Sequence, residues 1–328
     1  MLRAAICGPG HWGTRLIQAV QGKSGKIAFT TAVTRNPAGR ADLQQRFGLA
    51  LISDYAAVLR DASIDAVVLA TPHSQHGAEI EAAAHAGKHI FVEKPFTLSR
   101  AEAERAIAAC RAAGVTLAVG FNRRYAPAYR AMLKRIAAGE IGAIRHLEGH
   151  FSGPATYQTE PGNWRSNQVE SPGGAMTARG VHVLDSMLHI AGPVESAFAF
   201  SEKLQHEIDV DDTTACTLRF IGGVTGLLAT LHAASAFYRI HVFGSAGALE
   251  MRGETELLFS DLDGAVERFT YPSIDKERAE LEDFADAVAR GVKFVIAPEE
   301  IVNGVAATEA VAESARTRQP VRIAPFAG

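Results

Sequence analysis

The chain is poor in the features that mark special classes of protein. Its 328 residues contain three cysteines, Cys7, Cys110 and Cys216, widely scattered and without a CxxC pair. A disulfide framework or a zinc cluster needs more of them or closer spacing, so no metal is expected and the thiols read as reduced core residues of a cytoplasmic protein. Charge of one sign is also lacking: a formal net charge of −3 gives no pull toward nucleic acid or an anionic membrane. No apolar run approaches the roughly 18 residues of a membrane span. The start, MLRAAICGPG, reaches glycine too soon to hold the apolar stretch of a signal peptide. Repeats and low-complexity tracts are missing, and 47% apolar with 21% charged residues excludes a disordered chain. A globular protein of about two domains remains.

What is present begins with alternation. Ala4-Ala5-Ile6-Cys7 is a short apolar run followed at once by GPGHWG, after which Leu16, Ile17 and Val20 recur at helical spacing. Ile27 to Val33 is a second strand ending in TRN. Ala66 to Ala70 is a third, stopping at Thr71-Pro72 before an alanine- and glutamate-rich helix that runs to Gly87. Ile90-Phe91-Val92 follows, then a helix opened by Ser99 with Glu102 at capping-box spacing and closed by Gly114. Val115 to Val119 is a further apolar strand. Continuous apolar strands between helices indicate a parallel sheet covered on both faces, a doubly wound Rossmann domain.

In such sheets ligands bind beyond the carboxyl ends of the strands. The residues delivered there are Gly8, Gly10, His11, Trp12 and Gly13; Thr34, Arg35 and Asn36; Ala70, Thr71, Pro72, His73 and His76; Glu93 and Lys94; and Asn122. All are candidates for cofactor binding. GPGHWG fits G-x-G-x-x-G in its proper setting, after a strand and opening a helix. Gly8 permits the turn, Gly10 admits a pyrophosphate to the backbone, and Gly13 lets helix and strand pack closely. An NAD enzyme commonly ends its second strand in an acid that holds the ribose. Here Thr34-Arg35-Asn36 offers a cation that suits a 2′-phosphate, which favours NADP(H), with NAD(H) the alternative.

The stretches GPGHWG, ATPHSQH, AGKHIFVEKPF, GFNRRYAPAY, NWRS, GGAMTARGVHVLD, GSAGALE and ELEDFADAVARG together resemble the Gfo/Idh/MocA oxidoreductases over nearly the whole chain. That resemblance implies an N-terminal Rossmann domain and a C-terminal α/β domain built on a large, mainly antiparallel sheet. It also implies homodimers or homotetramers joined through that sheet. The second half agrees, with strand-like runs at 144–151, 194–200, 213–221, 224–232 and 239–243 and a hairpin over 256–271 turning at Asp263-Gly264. Helices are expected at 276–290 and 299–317. The boundary falls near residue 122, giving a dinucleotide-binding domain over 1–122 and a substrate and oligomerisation domain over 123–328.

Hydride exchange with a carbinol carbon requires a group to move the hydroxyl proton and one to stabilise the alkoxide. His182 suits the first task because its pKa lies near working pH, and Lys94 suits the second. The resemblance gives both residues these roles. It adds that Glu93 contacts the nicotinamide side and that a cis peptide precedes Pro95. It also exposes a departure: the family's aspartate, four residues before the histidine, is Ala178 here. If 175–190 is helical, His182 shares a face with Ala178, Arg179, Asp185 and Ser186, so Asp185 could orient the imidazole instead. Arg179 with Arg123, Arg124 and Arg165 could clamp a substrate carboxylate or phosphate, or these arginines could pair with Asp185, Glu170 or Glu160. Tyr125 and Trp164 are further substrate-binding candidates. The expected activity is oxidation of a secondary alcohol, or reduction of its carbonyl, on a small sugar-like, polyol or carboxylated cyclic diol substrate. The rivals are a hydride-cycling lyase or glycosidase and an NADP-binding sensor without turnover.

Overall fold

The computed structural model describes residues 1–154, 163–204 and 209–326. The chain groups into two compact units: Met1–Asn122 with Asp275–Ile301, and Arg123–Ile274 with Val302–Gly328.

In the first unit, β1 (Leu2–Cys7), β2 (Ile27–Val33), β3 (Ala50–Ile52), β4 (Ala66–Leu69), β5 (His89–Glu93) and β6 (Leu117–Gly120) form one sheet in the order β3-β2-β1-β4-β5-β6. Every pairing in it is parallel. The strand order reverses between β1 and β4, which sets the ligand-bearing crevice of a doubly wound sheet. The middle of the sheet is apolar because both faces are covered; all four residues of β4 are buried. Each Val or Leu so buried contributes about 1.5–3 kcal/mol. The helices between the strands are α1 (His11–Val20), α2 (Ala41–Phe47), α3 (Tyr55–Arg60), α4 (His76–His85) and α5 (Arg100–Ala113).

The ends of α5 are set by its sequence. Ser99 Oγ accepts the Glu102 N–H, and Gly114 takes the left-handed conformation at φ 67°. Val115 N–H reaches back to Cys110 O at 3.2 Å, which closes the helix. The strand expected from Val115 therefore starts at Leu117, because the first residues after the glycine belong to the cap.

The second unit opens with α6 (Pro127–Ala137), β7 (Ile144–Ser152), a π-helical turn over Met176–Gly180 and α7 (Val181–Ala191). Then come β8 (Val194–Glu202), β9 (Thr213–Phe220), β10 (Thr225–Leu231), β11 (Phe237–Gly244), β12 (Ala248–Arg252), β13 (Glu256–Ser260) and β14 (Val266–Thr270). Next, α8 (Lys276–Arg290) returns to the first unit, and α9 (Pro298–Thr317) and β15 (Val321–Arg322) complete the described chain. The nine strands lie in the order β14-β13-β12-β11-β7-β10-β9-β8-β15, antiparallel except for β7 beside β10. Alternate residues such as Leu147, Leu218, Leu228 and Ile240 pack into a core shared with α6, α7 and α9. Their neighbours Phe200, Leu227 and Phe237 lie on exposed positions. Among the described residues no helix is long and apolar enough to cross a membrane.

Candidate active site

The glycine loop is shaped by what a side chain would strike. A Cβ on Gly8, whose φ is 78°, would lie 2.6 Å from Ala70 O, and one on Gly13 would lie 2.5 Å from Gly8 O. At Gly10 a Cβ would meet nothing within 4 Å, so the loop is open on that side. Gly10 also caps α1 without a side-chain bond, and the first turn of α1 carries no acid. Its leading N–H groups and helix dipole thus face an approachable side, the arrangement that receives a phosphate. Gly10, His11, Thr14, Arg15, Gln18 and Arg40 line a pocket of about 570 Å³ there. The residues present fit a dinucleotide.

Gly8→Ala should weaken dinucleotide binding at least tenfold and cost about 1–3 kcal/mol of stability, since the clash is with backbone and the left-handed φ resists a side chain. Fluorescence titration with reduced cofactor and thermal melting check it; unchanged affinity would sink the assignment of the loop.

Arg35 stands exposed after β2, while Asn36 Oδ1 accepts the Gly39 N–H at 3.1 Å and holds the turn. Arg40 is the residue missed in the sequence. Its guanidinium bonds Pro9 O and, at 2.9 Å, Thr14 Oγ1, which places a second cation against the glycine loop. Only its position five residues beyond Arg35 hinted at this.

β5 carries Glu93 to the strand end, followed by half-buried Lys94 and a cis Lys94–Pro95 peptide. Glu93 is paired in register with Gly120, where a Cβ would sit 2.8 Å from Glu93 Oε1. The bare glycine is what makes room for the carboxyl. Burial raises the Glu93 pKa, opposed by Trp12 and Lys94. The Trp12 indole N–H acts there without completing a hydrogen bond. α8 adds two further acids. Glu277 pairs with Arg15 at 2.9 Å and accepts from Asn122 Nδ2 at 3.1 Å. Glu280 is fully buried with neither carboxyl oxygen hydrogen-bonded, and its pKa is driven well up by burial, then by Glu93 and Glu277.

His76 ties two of the loops together: Nδ1 lies 2.9 Å from Pro95 O and Nε2 lies 3.1 Å from Thr71 O. It is buried, and the His73 ring meets it edge-on at 5.9 Å. Thr71 Oγ1 donates to Glu79 Oε2 at 2.5 Å, and burial pushes Glu79 up to about 7. These histidines and Thr71 thus brace the edge of the sheet around Ala70, Pro72 and Pro95. Among the described residues no group of His, Cys, Asp or Glu side chains could hold a metal ion.

In the second unit the expected neighbours of His182 are rearranged. The π-helical turn over Met176–Gly180 inserts an extra residue per turn just before α7, so Ala178 and Arg179 do not keep the α-helical phase assumed for them. His182 is 7% exposed, with its ring 6.1 Å from that of Phe151. Asp185 does not bond the imidazole. Both its oxygens accept from Arg124, at 2.8 and 2.7 Å, in a buried bidentate pair that turns the carboxylate toward the guanidinium. Arg124 is thereby also removed from any substrate clamp.

Arg123 pairs with Glu254 and stacks over Phe151 and Tyr238, 4.3 Å from each centroid. Arg165 lies over its neighbour Trp164 at 4.1 Å, on a turn where Asn163 accepts the Arg165 N–H. Tyr125 is buried, with Arg130 over its ring at 4.7 Å. Arg179 stands over Phe151 at 4.8 Å. Glu160 lies outside the described residues.

Two family models match the chain in tandem. Residues 2–121 match an oxidoreductase family with an NAD-binding Rossmann fold, and residues 129–250 match the GFO/IDH/MocA C-terminal domain. The chain belongs to the GFO/IDH/MocA family. Among its relatives, an uncharacterized oxidoreductase of Bacillus subtilis is 35% identical over 205 residues, 60% of this chain and 58% of that protein. Scyllo-inositol 2-dehydrogenase (NAD(+)) of the same organism is 38% identical over 135 residues, 41% of this chain and 37% of that protein. The matches thus span less than two thirds of either relative. A Thermotoga maritima myo-inositol 2-dehydrogenase is 27% identical over 306 residues, covering 88% of this chain and 89% of its own. Among solved structures, levoglucosan dehydrogenase in complex with NADH and L-sorbose superposes with a TM-score of 0.90 at 22% identity, covering 99% of both chains. That likeness shows the fold.

Proposed function

We propose that the protein is an NADP(H)-dependent dehydrogenase or reductase acting on a secondary alcohol or its carbonyl in a small sugar-like, polyol or carboxylated molecule. The observation that carries this is the glycine cradle, closed by backbone at Gly8 and Gly13 but open at Gly10, on the same sheet edge as Lys94. The dinucleotide, when bound, supplies the hydride acceptor or donor. The protein's own residues then have two tasks. Lys94 holds the substrate oxygen as its negative charge develops, and His182 takes or returns its proton. The inositol dehydrogenases among the relatives support a polyol class of substrate.

The preference for NADP(H) rests on Arg35, with Arg40 as a second cation and no acid at the end of β2. Arg35→Ala should lower kcat/KM with NADP⁺ by about 10–100-fold, the range for a lost charge-assisted hydrogen bond, and leave NAD⁺ within about threefold. Nicotinamide absorbance followed with both cofactors over sugars, polyols, sugar acids and cyclic diols tests the whole proposal. Equal losses with the two cofactors would remove the case for a 2′-phosphate. Ala178 favours one rival, a cofactor-binding sensor, which predicts tight NADPH binding with no turnover on any of these compounds.

The apolar side chains on the exposed sheet positions, Phe200, Leu227 and Phe237, support assembly into a homodimer or homotetramer through the C-terminal sheet. Three free, buried cysteines support a cytoplasmic, reducing setting.

A further inference from the structure

Arg179 is held in place but not neutralised. Its guanidinium is half-buried, lies 4.8 Å from the Phe151 centroid, and gives one long hydrogen bond of 3.5 Å to Ser152 O. Among the described residues no carboxylate forms an ion pair with it. Its neighbours do not help. Arg123 faces the same Phe151 ring at 4.3 Å, but its charge is matched by Glu254, and Arg124 is matched by Asp185. The His182 ring, also near Phe151, brings no negative charge. Burial and the Arg123 charge both disfavour a charged Arg179.

The space for this guanidinium is built. A Cβ at Gly153 would lie 2.7 Å from Nη1 and 2.8 Å from Nη2, so a side chain there would shift the planar group from this position. An aromatic face gives weaker compensation than an acid, and most donors of the fork remain unused. Desolvated cations are retained where something pairs with them, and a planar fork with free donors matches an oxyanion.

We infer that Arg179, seated on Phe151 and Gly153, is a binding site for an oxyanion carried by the substrate, a carboxylate or a phosphate. This rests on the dehydrogenase reading for the word substrate, but the site itself is independent of turnover. It narrows the substrate class from neutral polyols to acids of similar size.

The test uses the full-length protein without cofactor, titrated by calorimetry with glucose, glucuronate and glucose 6-phosphate as matched probes. The anionic probes should bind at least tenfold more tightly than glucose, and the preferred one identifies carboxylate or phosphate as the group. Arg179→Ala should remove about 10–100-fold of that preference, as should Gly153→Ala, which displaces the guanidinium without changing any charge. Arg179→Lys should restore only part of it, because a point charge lacks the fork. Thermal melts confirm that each variant is folded. Equal affinity for charged and neutral probes overturns the inference, as does an anion preference that survives Arg179→Ala. Anion binding that depends on Arg179 in a protein without turnover keeps this site and fails only the dehydrogenase reading.

Discussion

Lys94→Ala is expected to lower kcat by about 10²–10³-fold, the loss that follows removal of one preorganised group facing a developing oxyanion. The geometry behind this is local. β5 is buried through Glu93, and the next residue, Lys94, is half-buried at the strand end. A lysine there can present its charge to substrate because the strand end fixes its backbone. Dinucleotide affinity should change far less than kcat, since the cradle of Gly8, Gly10 and Gly13 is made by a different loop. Lys94→Arg should not rescue, because a planar fork does not occupy the position of a compact ammonium. Steady-state kinetics beside fluorescence titration separate the effects. A mutant within tenfold of the parent kcat, with normal cofactor binding, would remove Lys94 from the chemistry.

How legible such features were in the sequence depends on whether the cause is local. The glycine loop, the Ser99 cap and the αL glycine at 114 are written in neighbouring residues, and the structure places them as expected. The buried strands β1, β4 and β5 were legible from the apolar runs Ala4–Cys7, Ala66–Leu69 and Ile90–Val92, because both their faces are covered. Short edge strands were not: β3 and β15 have three and two residues, too few for any period, and exist because a neighbouring strand offers an unpaired edge. The π-helical turn before His182 was equally hidden. A periodicity argument assumes the α-helical pitch, and the π-helical turn, in which Gly180 leaves no room for a side chain against Met176 and Thr230, breaks it.

Pairing between distant residues was the other blind spot. Asp185 sits at the right spacing to meet His182, yet Arg124, 61 positions earlier, claims it with two hydrogen bonds. Spacing along a helix lists which side chains can meet; it does not rank them against a guanidinium arriving from elsewhere. The same holds for α8. Its amphipathic pattern predicts a buried face but not that the face would pack on β2 and β5, nor that an acid would be buried with it.

That acid, Glu280, gives the second large expectation: Glu280→Gln should stabilise the protein at neutral pH and flatten its pH dependence. Glu280 is fully buried, with neither oxygen hydrogen-bonded, and the charges of Glu93 and Glu277 add to the cost of ionising it, against a smaller opposing effect of Lys276. Burial also raises Glu93, to about 7, but Glu280 is the acid with neither oxygen hydrogen-bonded, so its charged form has the least support. Its pKa in the fold is therefore raised above the 4.5 of an ordinary glutamate. Below that pH both folded and unfolded chains hold the proton, and the group costs nothing. Above it the unfolded chain releases the proton while the fold retains it, so stability falls by about 1.4 kcal/mol per pH unit until the folded pKa is reached. Glutamine keeps the shape and has no ionisable proton to lose. Urea unfolding of parent and mutant from pH 5 to 8 should show curves that coincide at the acid end and separate as pH rises, with the mutant above. A parallel pair of curves would mean that another group carries the proton, and a mutant below the parent throughout would mean that Glu280 is ionised and compensated in the fold.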